Sequence, residues 1–350
     1  MTTFSMLRPF VFLLPPETAH TLTITLLKNG LVTAKQKKPD APILQTDLLG
    51  LSFPNPVGLA AGFDKNADVM DQMLAAGFGW VEAGTVTPEP QSGNEKPRIF
   101  RLPENHAVIN RLGFNNNGLA PFVEKFRKRK GKNGIVGANV GANKNAEDRT
   151  EDYVTGIKAL NGLPSYFTVN ISSPNTPGLR ALQSKEALQD LLTRVIAARD
   201  LGAATPILLK IAPDLTEQDK KDIAEVALLS KIDGLIISNT TISRPDELMG
   251  KYRKETGGLS GEPLMPLSTQ TLYDMYALTK GKVPLVGVGG IASGEDAYRK
   301  ICAGASLVQV YTGMIYQGIG LVSKIKEGLE TALRRDGFSS VQDAVGADHR

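Results

Sequence analysis

Residues 207–238 read ILLKIAPDLTEQDKKDIAEVALLSKIDGLIIS and predict a strand, a helix and a second strand. The apolar runs at 207–211 and 234–238 are continuous, as in parallel strands that are covered on both faces. Between them, residues 217–230 carry apolar side chains at the spacing of an amphipathic helix. The stretch is therefore typical of a unit in which a helix connects two parallel strands.

The same alternation recurs along the chain from residue 43 onward. Strand cores are predicted at 57–62, 80–86, 135–140, 167–172, 207–211, 234–238, 285–289 and 307–311. Helices are predicted at 67–76, 185–201, 217–230, 267–279, 294–303 and 321–334. Eight such strands indicate the α/β class and a (β/α)₈ TIM barrel. An open doubly wound sheet is the alternative, but it usually carries an early GxGxxG, which is absent here.

The length of the chain is consistent with one barrel. At roughly 150 residues per domain, 350 residues would suggest two domains, whereas eight barrel units of roughly 30 residues use about 240. The surplus lies in an N-terminal segment and in two inserts, 88–133 and 241–283, which follow the second and sixth strands. We predict a helical segment with a linker at 1–42, the barrel at 43–336 and a tail at 337–350.

Two hairpins are expected besides the barrel. Residues 98–101 and 107–110 in the first insert are expected to pair with each other. Residues 47–53 are expected to form a second hairpin that closes the bottom of the barrel.

Scarce cysteine and histidine exclude several kinds of site. Cys302 is the only cysteine, so the chain has no internal disulfide framework and no thiolate zinc site. His20, His106 and His349 form no HExxH motif and lie beside no GxSxG elbow, so neither a metal centre nor a Ser-His-Asp hydrolase is expected. The net charge is +4, and the basic run 125–132 is typical of a helix C-terminus. Phe126 is the one aromatic residue in this run, which is not the repeated interleaving that a nucleic-acid surface shows, so no nucleic-acid partner is expected.

The N-terminus predicts two short amphipathic helices. Phe4, Leu7, Val11 and Leu14 form an apolar stripe on a first helix, which Pro9 should shorten or bend. A second helix should begin at Pro16 and end at 29–30. Such a pair can be a flap packed on the domain, or it can enter a membrane face or line an apolar ligand tunnel. No stretch approaches the roughly 20 apolar residues of a membrane-spanning helix.

Glycines follow the last two predicted strands. Residues 287–290 and 311–313 contain these glycines, at the place where barrel enzymes commonly bind phosphate through bare backbone N–H groups. We therefore expect a phosphate group at this end of the barrel.

Asparagines end several other strands. Asn139, Asn170 and Asn239 lie at strand ends, with Asn110 and Asn175 on nearby loops. Planar amides that converge suit a pyrimidine or the pyrimidine edge of a flavin, although any one of them can be a turn or cap residue.

Two lysines are candidates for binding an anion. Lys210 ends an apolar strand, where a lysine is costly unless it meets an anion. It could stabilise a reduced flavin or form a Schiff base as in aldolases. Lys65 could bind a substrate carboxylate, or it could be a solvated loop residue.

Four longer motifs resemble those of the dihydroorotate dehydrogenases. They are AGFDKN at 61–66, NRLGFNN at 110–116, NISSPNTPGLR at 170–180 and GGLSG at 257–261. The resemblance covers essentially the whole chain in order. The N-terminal helical pair, together with Ser173 where the cytosolic class 1 enzymes have a cysteine, resembles the membrane-associated, quinone-dependent class 2.

The resemblance implies oxidation of (S)-dihydroorotate to orotate in pyrimidine synthesis, with FMN as hydride acceptor and a membrane quinone as electron acceptor. It makes Ser173 the base for the C5 proton, relayed through water or Thr176. The residues implied for FMN are Ala61, Gly62, Phe63, Asp64, Lys65, Thr85, Asn139, Asn170, Lys210, Ser238, Gly261, Gly290, Tyr311 and Thr312. Those implied for orotate are Lys65, Asn110, Arg111, Leu112, Gly113, Phe114, Asn170, Asn175, Asn239 and Thr240. Those implied for the quinone are His20, Arg101 and Tyr311.

We further expect a monomer that binds peripherally, through the N-terminal helices, to the cytoplasmic face of the cell (inner) membrane. Two other functions remain as alternatives. One is a cofactor-free barrel lyase with Lys210 as Schiff-base amine. The other is a non-catalytic flavin- or membrane-binding module, which the combination of serine, asparagine and lysine at the strand ends argues against.

Overall fold

Strands and helices alternate along most of the computed structural model, which describes residues 3–32, 35–36 and 38–350. The strands are β1 (Thr46–Leu48), β2 (Leu51–Phe53), β3 (Val57–Leu59), β4 (Trp80–Val86), β5 (Ile99–Leu102), β6 (Ala107–Asn110), β7 (Ile135–Val140), β8 (Tyr166–Asn170), β9 (Ile207–Ile211), β10 (Gly234–Ile237), β11 (Gly258–Gly261), β12 (Leu285–Val288) and β13 (Leu307–Val310). The α-helices are α1 (Thr3–Leu13), α2 (Pro16–Lys28), α3 (Met70–Ala75), α4 (Leu119–Arg129), α5 (Arg149–Leu160), α6 (Lys185–Asp200), α7 (Glu217–Ser230), α8 (Met265–Thr279), α9 (Gly294–Cys302), α10 (Thr312–Gln317), α11 (Leu321–Arg335) and α12 (Val341–Ala344). Short 3₁₀ helices lie at Pro42–Leu44, Pro103–Asn105, Leu179–Gln183, Glu262–Leu264 and Ala347–His349.

Eight parallel strands close into a barrel in the order β3-β4-β7-β8-β9-β10-β12-β13. This confirms the predicted TIM barrel. The predicted bounds of β4, β7 and β9 coincide with the observed ones. The first strand ends at Leu59 rather than at residue 62, and β8 ends at Asn170 rather than at residue 172. The residues beyond these ends leave the ladder because they turn into the loops that line the mouth of the barrel.

The hairpin β1–β2 closes the amino-terminal end of the barrel. Its two strands pair antiparallel, as expected for residues 47–53. Phe53 packs against Trp80 with ring centroids 6.0 Å apart, in a buried cluster built from barrel-strand residues. Bulky side chains therefore fill this end of the barrel, and the cavity lies at the other end.

The two inserts combine into one small sheet. The hairpin β5–β6 forms as predicted, and β11 of the second insert adds antiparallel to β6, pairing Gly258 with Asn110. Strand β11 was not predicted, because pairing between segments about 150 residues apart leaves no local pattern in the sequence.

The helices α1 and α2 pack on the barrel with one face only. Pro9 lies inside α1, and α2 begins at Pro16 with Glu17 in its first turn. Ala19 and Leu27 of α2 are buried, whereas Phe10 and Leu13 of α1 are 69% and 82% exposed. In the described part of the chain, no helix combines the length and the apolar composition needed to cross a bilayer.

Candidate active site

A cavity of about 1740 Å³ opens at the carboxyl ends of the barrel strands, under the inserts and the N-terminal helices. It exceeds the roughly 300–1,000 Å³ of a typical small-molecule pocket, so it has room for more than one ligand. The predicted site residues that line it are His20, Ala61, Gly62, Phe63, Lys65, Thr85, Arg101, Asn110, Leu112, Gly113, Phe114, Asn170, Ser173, Asn175, Lys210, Ser238, Asn239, Thr240, Gly261, Gly290, Tyr311 and Thr312.

Three predicted site residues do not line this cavity. The carboxylate of Asp64 accepts hydrogen bonds from the backbone N–H groups of Asp68 and Val69 at 2.7 and 2.8 Å. Arg111 points away, donating to Glu255 at 2.7 Å. Asn139 is fully buried beneath the cavity floor. The side chains of these three residues therefore support the site from behind.

Glu82 lies at the centre of the barrel and is fully buried. Its carboxylate accepts four hydrogen bonds, from Asn139 at 2.7 Å, Tyr166 at 3.1 Å, Thr168 at 3.0 Å and Gln309 at 2.8 Å. A buried carboxylate is tolerated only when it is satisfied in this way. These bonds fix the side chains beneath the cavity.

A chain of hydrogen bonds rises from Glu82 into the cavity. Because Asn139 donates to Glu82, its amide oxygen faces upward and accepts from Thr85 Oγ1 at 2.6 Å. Thr85 accepts from Asn170 Nδ2 at 3.0 Å. The amide oxygen of Asn170 then accepts from Ser172 Oγ at 2.9 Å, and Ser172 accepts from Asn239 Nδ2 at 3.0 Å. An acceptor-only carboxylate thus determines which way three asparagine amides point.

Three polar groups among the described residues that line the cavity lack a protein partner: Lys210 Nζ, Gln309 Oε1 and Asn115 Oδ1. Lys210 is buried, and burial lowers the pKa of its ammonium while the charge of Glu82 partly offsets this. Within the described residues Lys210 Nζ makes no hydrogen bond and lines the cavity. Gln309 Oε1 and Asn115 Oδ1 are buried acceptors without a donor. Buried groups of this kind require a ligand or water partner. The site therefore suits a ligand that offers both acceptors and donors.

The glycine loop after β12 lies against the start of α8. Gly289 and Gly290 have φ angles of 107° and 83°, which residues with a side chain rarely adopt. A Cβ at Gly290 would lie 2.5 Å from Met265 Cα, so the packing also requires glycine there. Together with Tyr311 and Thr312 after β13, this loop presents bare backbone to the cavity, as a phosphate site requires.

Ser173 lies on the loop that follows β8 and is buried. Its Oγ accepts a hydrogen bond from Asn175 N at 3.3 Å, and Asn175 Nδ2 donates to Asn110 Oδ1 at 3.3 Å. In the part of the chain that is described, Ser173 makes no hydrogen bond with Thr176. A proton relay from Ser173 would therefore pass first through a water molecule.

Arg180 joins the two loops that carry substrate candidates. It donates to the carbonyls of Ser172 at 3.0 Å and Thr240 at 2.9 Å, and it pairs with Asp214 at 2.9 Å. The three contacts hold the loops after β8 and β10 at a set separation. Loss of the three Arg180 contacts would free both loops to change their separation.

Lys65 and His20 have strongly lowered pKa values. Burial lowers the pKa of Lys65 to about 8, with attraction from Glu17 and repulsion from Arg98 as smaller effects; its Nζ donates to Gly62 O at 2.7 Å. Burial also lowers the pKa of His20 to about 4, with Lys65 adding to the effect. His20 is therefore neutral at pH 7, and its Nε2 donates to Phe63 O at 2.8 Å.

The three residues predicted to bind the quinone, His20, Arg101 and Tyr311, line the part of the cavity under the N-terminal helices. Phe63 lies between His20 and Tyr311, with ring centroids 5.6 and 5.9 Å away. Arg101 donates to the carbonyls of Phe12 and Leu14 at 3.2 and 3.1 Å. This part of the cavity is a largely apolar passage with a few polar groups.

Three residues that hold the site together, Glu82, Gln309 and Arg180, were not predicted from the sequence. Glu82 and Gln309 interrupt apolar strands in the same way as Lys210, so the same signal could have identified them. Arg180 carried no such signal, because its role depends on the distance between two loops.

Known proteins are similar to this chain over its full length. A family model described as dihydroorotate dehydrogenase matches residues 43–333. The dihydroorotate dehydrogenase (quinone) of Parvibaculum lavamentivorans is 58% identical over 348 residues, which are 99% of each chain. The mitochondrial dihydroorotate dehydrogenase (quinone) of Mus musculus is 51% identical, covering 97% of this chain and 88% of that one. The crystal structure of DHODH from Eimeria tenella in complex with ferulenol has a TM-score of 0.93 at 42% identity, covering 96% of each chain.

Proposed function

Because this chain belongs to the quinone-dependent dihydroorotate dehydrogenases and oxidises dihydroorotate to orotate with a quinone as acceptor, we propose that FMN is the flavin that connects the two reactions. FMN, when bound, supplies the hydride acceptor and afterwards the electron donor to the quinone. Because the chain belongs to this family, neither a Schiff-base lyase nor a non-catalytic binding module is needed to explain the site.

The residues present fit FMN. Lys210 and Gln309 leave a donor and an acceptor without partners, as a flavin ring edge with carbonyl and N–H groups requires. Ala61, Gly62, Thr85, Asn170, Ser238 and Gly261 would surround the ring system, with Asn139 behind it. Gly290, Tyr311 and Thr312 would hold the phosphate through backbone N–H groups. Phe63 and Lys65 would complete this wall, and Asp64 would hold their loop in place through its hydrogen bonds from Asp68 N and Val69 N.

The asparagine side chains and Lys65 would hold the pyrimidine. Asn110, Asn170, Asn175, Asn239 and Thr240 offer amide and hydroxyl groups to the ring C=O and N–H groups. Lys65 would bind the carboxylate, whose negative charge favours the protonated amine. The stretch from Leu112 to Phe114 would cover the ring, and Arg111 would hold that stretch through Glu255.

Ser173 would remove the C5 proton of dihydroorotate. A hydroxyl is a weak base, but the N–H of Asn175 donates to Ser173 Oγ and stabilises negative charge there. The buried loop excludes bulk water, so the proton would leave through an ordered water molecule. Lys65 and the asparagines would keep C5 near Ser173 Oγ.

The quinone would enter from the membrane side, between α1 and α2. His20, Arg101 and Tyr311 would lie at its head group, with the apolar stripe Phe4, Leu7 and Val11 along its tail. We also propose that the exposed face of α1 binds peripherally to the cytoplasmic face of the cell membrane. In this proposal residues 1–42 form the membrane attachment, residues 43–336 form the barrel and residues 337–350 form a tail. We further propose that the protein acts as a monomer.

The observation that carries this proposal is that one cavity contains both Lys210 and Gln309, which lack protein partners, and the glycine loop after β12. A visible absorption spectrum of the purified protein tests it. We expect flavin absorbance that bleaches when dihydroorotate is added and returns with a quinone analogue, and FMN on release by acid. A colourless protein, or release of a different flavin, would contradict it.

A further inference from the structure

Lys300, on α9, is a buried charged residue that the proposed site does not use. It is 0% exposed. A Cβ at Gly287 would lie 3.1 Å from Lys300 Cβ and 3.3 Å from Lys300 Cδ, so the lysine stem lies against the outer face of β12. The side chain runs from Gly287 toward the carboxyl end of that strand, where the glycine loop begins.

Ser268, on α8, is the hydrogen-bond partner of Lys300. Lys300 Nζ donates to Ser268 Oγ at 2.6 Å. Ser268 Oγ lies 2.8 Å from Leu264 O and 3.1 Å from Gly289 O, so its hydroxyl can donate a hydrogen bond to either carbonyl. The lysine is thus linked to the backbone of the glycine loop through one hydroxyl.

The ammonium of Lys300 lacks a counter-charge in the described structure. Asp296 lies one helical turn earlier, but its carboxylate accepts from Ala292 N at 3.1 Å and Ser293 Oγ at 2.7 Å, and it forms no ion pair with Lys300. Burial lowers the pKa of Lys300 well below its ordinary value, and Asp296 offsets this only in part. An unpaired buried lysine is costly, so an apolar side chain would be expected here if packing were the only requirement.

The position of Lys300 relative to the glycine loop offers a reason why a buried lysine, rather than an apolar residue, occupies this place. Ser268 Oγ would lie 2.9 Å from a Cβ at Gly289, so the lysine and serine lie directly behind the loop. Gly290 lines the cavity on the other side. A phosphate dianion bound at the front of the loop would be the counter-charge that Lys300 lacks, and Coulomb attraction is strong where water is excluded.

We propose that Lys300, oriented by Ser268, is a positioning residue for the FMN phosphate and gives the site its selectivity for FMN over riboflavin. Lys300 does not line the cavity, so it acts through the Gly289–Gly290 loop and by its charge. This inference rests on the proposed FMN site and deepens it, because it assigns selectivity for the phosphate group to a residue outside the cavity.

The test is the affinity of the full-length chain for two flavins. FMN is removed and then FMN or riboflavin is titrated back, with flavin fluorescence as the signal. Lys300→Met keeps the approximate length of the side chain and removes the buried charge together with its hydrogen bond to Ser268 Oγ. Ser268 keeps its own acceptors at Leu264 O and Gly289 O, so the variant should fold. We expect the dissociation constant for FMN to rise about tenfold or more, while that for riboflavin is unchanged. A purely structural role would change both constants alike.

Lys220→Met is the matched control. Lys220 is also buried, but it pairs with Asp274 at 2.5 Å and does not line the cavity. Its loss should lower stability and leave the ratio of the two affinities unchanged. If Lys300→Met does not fold, Ser268→Ala replaces it, with a smaller but still FMN-selective loss expected.

The outcomes separate this inference from the proposed function. A wild-type chain that binds neither flavin would refute the FMN proposal itself. A wild-type chain that prefers FMN, with a variant of unchanged preference or equal loss of both flavins, would overturn the role of Lys300 alone.

Discussion

Arg98 in the first insert and Glu17 of α2 form a two-point ion pair, with Nη2 to Oε1 at 2.6 Å and Nε to Oε2 at 3.1 Å. Burial acts to raise the pKa of Glu17, but the hydrogen bonds and charge of Arg98 hold it below its ordinary value. Arg98 also donates to Asn94 O at 2.7 Å, and Asn94 Nδ2 donates to Asn175 O at 3.1 Å. Contacts therefore connect the N-terminal helices to the loop of Ser173.

Breaking this pair should destabilise the attachment of the helices. In Arg98→Met, Glu17 keeps only the more distant Lys96, at 3.6 Å, and two backbone carbonyls lose a donor. We expect the free energy of unfolding to fall by about 1.5–3 kcal/mol. Denaturant unfolding measures this change. Arg127→Met is the control, because Arg127 forms an exposed pair with Glu124 and should cost less than about 1 kcal/mol. Equal losses of stability in the two variants would contradict a structural role for the partly buried Arg98–Glu17 pair.

Ser173→Ala tests the proposed base. Because the hydroxyl is not needed to hold the flavin, the variant should keep its flavin absorbance. The rate of flavin bleaching by dihydroorotate at neutral pH should fall by about 10²- to 10⁴-fold. Stopped-flow absorbance measures this rate, and an unchanged orotate dissociation constant serves as the control. A near-normal rate would remove Ser173 from this role.

The affinity for orotate should depend on pH through Lys65. Its pKa is about 8 in the folded protein, so the amine is charged below pH 8 and loses its charge above it. Binding of a carboxylate needs the charged form, so the dissociation constant should be flat below pH 8 and rise by about tenfold per pH unit above it. Orotate titrations from pH 6 to about pH 9.5 measure this.

Two variants complete the pH experiment. Lys65→Met should bind orotate weakly at every pH and show no break near pH 8. Lys128→Met, which removes an exposed lysine outside the cavity, should behave as the wild type. If the dissociation constant of orotate still begins to rise near pH 8 in Lys65→Met, the titrating group is not Lys65.

The exposed apolar face of α1 should be needed for membrane binding. Phe10→Glu with Leu13→Glu removes two exposed apolar side chains, and burying each would contribute about 1.5–3 kcal/mol. We expect binding to anionic lipid vesicles to weaken about a hundredfold or more and quinone turnover to fall, while flavin bleaching by dihydroorotate is unchanged. Leu229→Glu on α7 is the control, because Leu229 is 70% exposed on another face. Vesicle binding that survives the double substitution would contradict the proposed attachment.

The site could be predicted in part because strand ends are visible in the sequence. Asn170, Lys210 and Gly290 each end an apolar run, and the carboxyl ends of parallel strands meet at one side of a barrel. The direction of a side chain could not be predicted in the same way. Asp64 and Arg111 belong to the predicted motifs, yet their side chains bind Val69 and Glu255 outside the cavity. Loop backbone angles decide this direction, and they depend on the neighbouring strands.

The barrel, the two N-terminal helices and the strand ends that carry the chemistry can be predicted from local sequence alone. Each follows from a local pattern of apolar residues, which is continuous in the barrel strands and periodic in the helices, and such a pattern reports burial directly. The contacts between distant segments depend on the folded chain: Glu82 beneath Asn139, Arg98 against Glu17, and Lys300 against Ser268. The partners in each pair are more than 30 residues apart in sequence, and only the packing of the inserts and helices on the closed barrel brings them within hydrogen-bond distance.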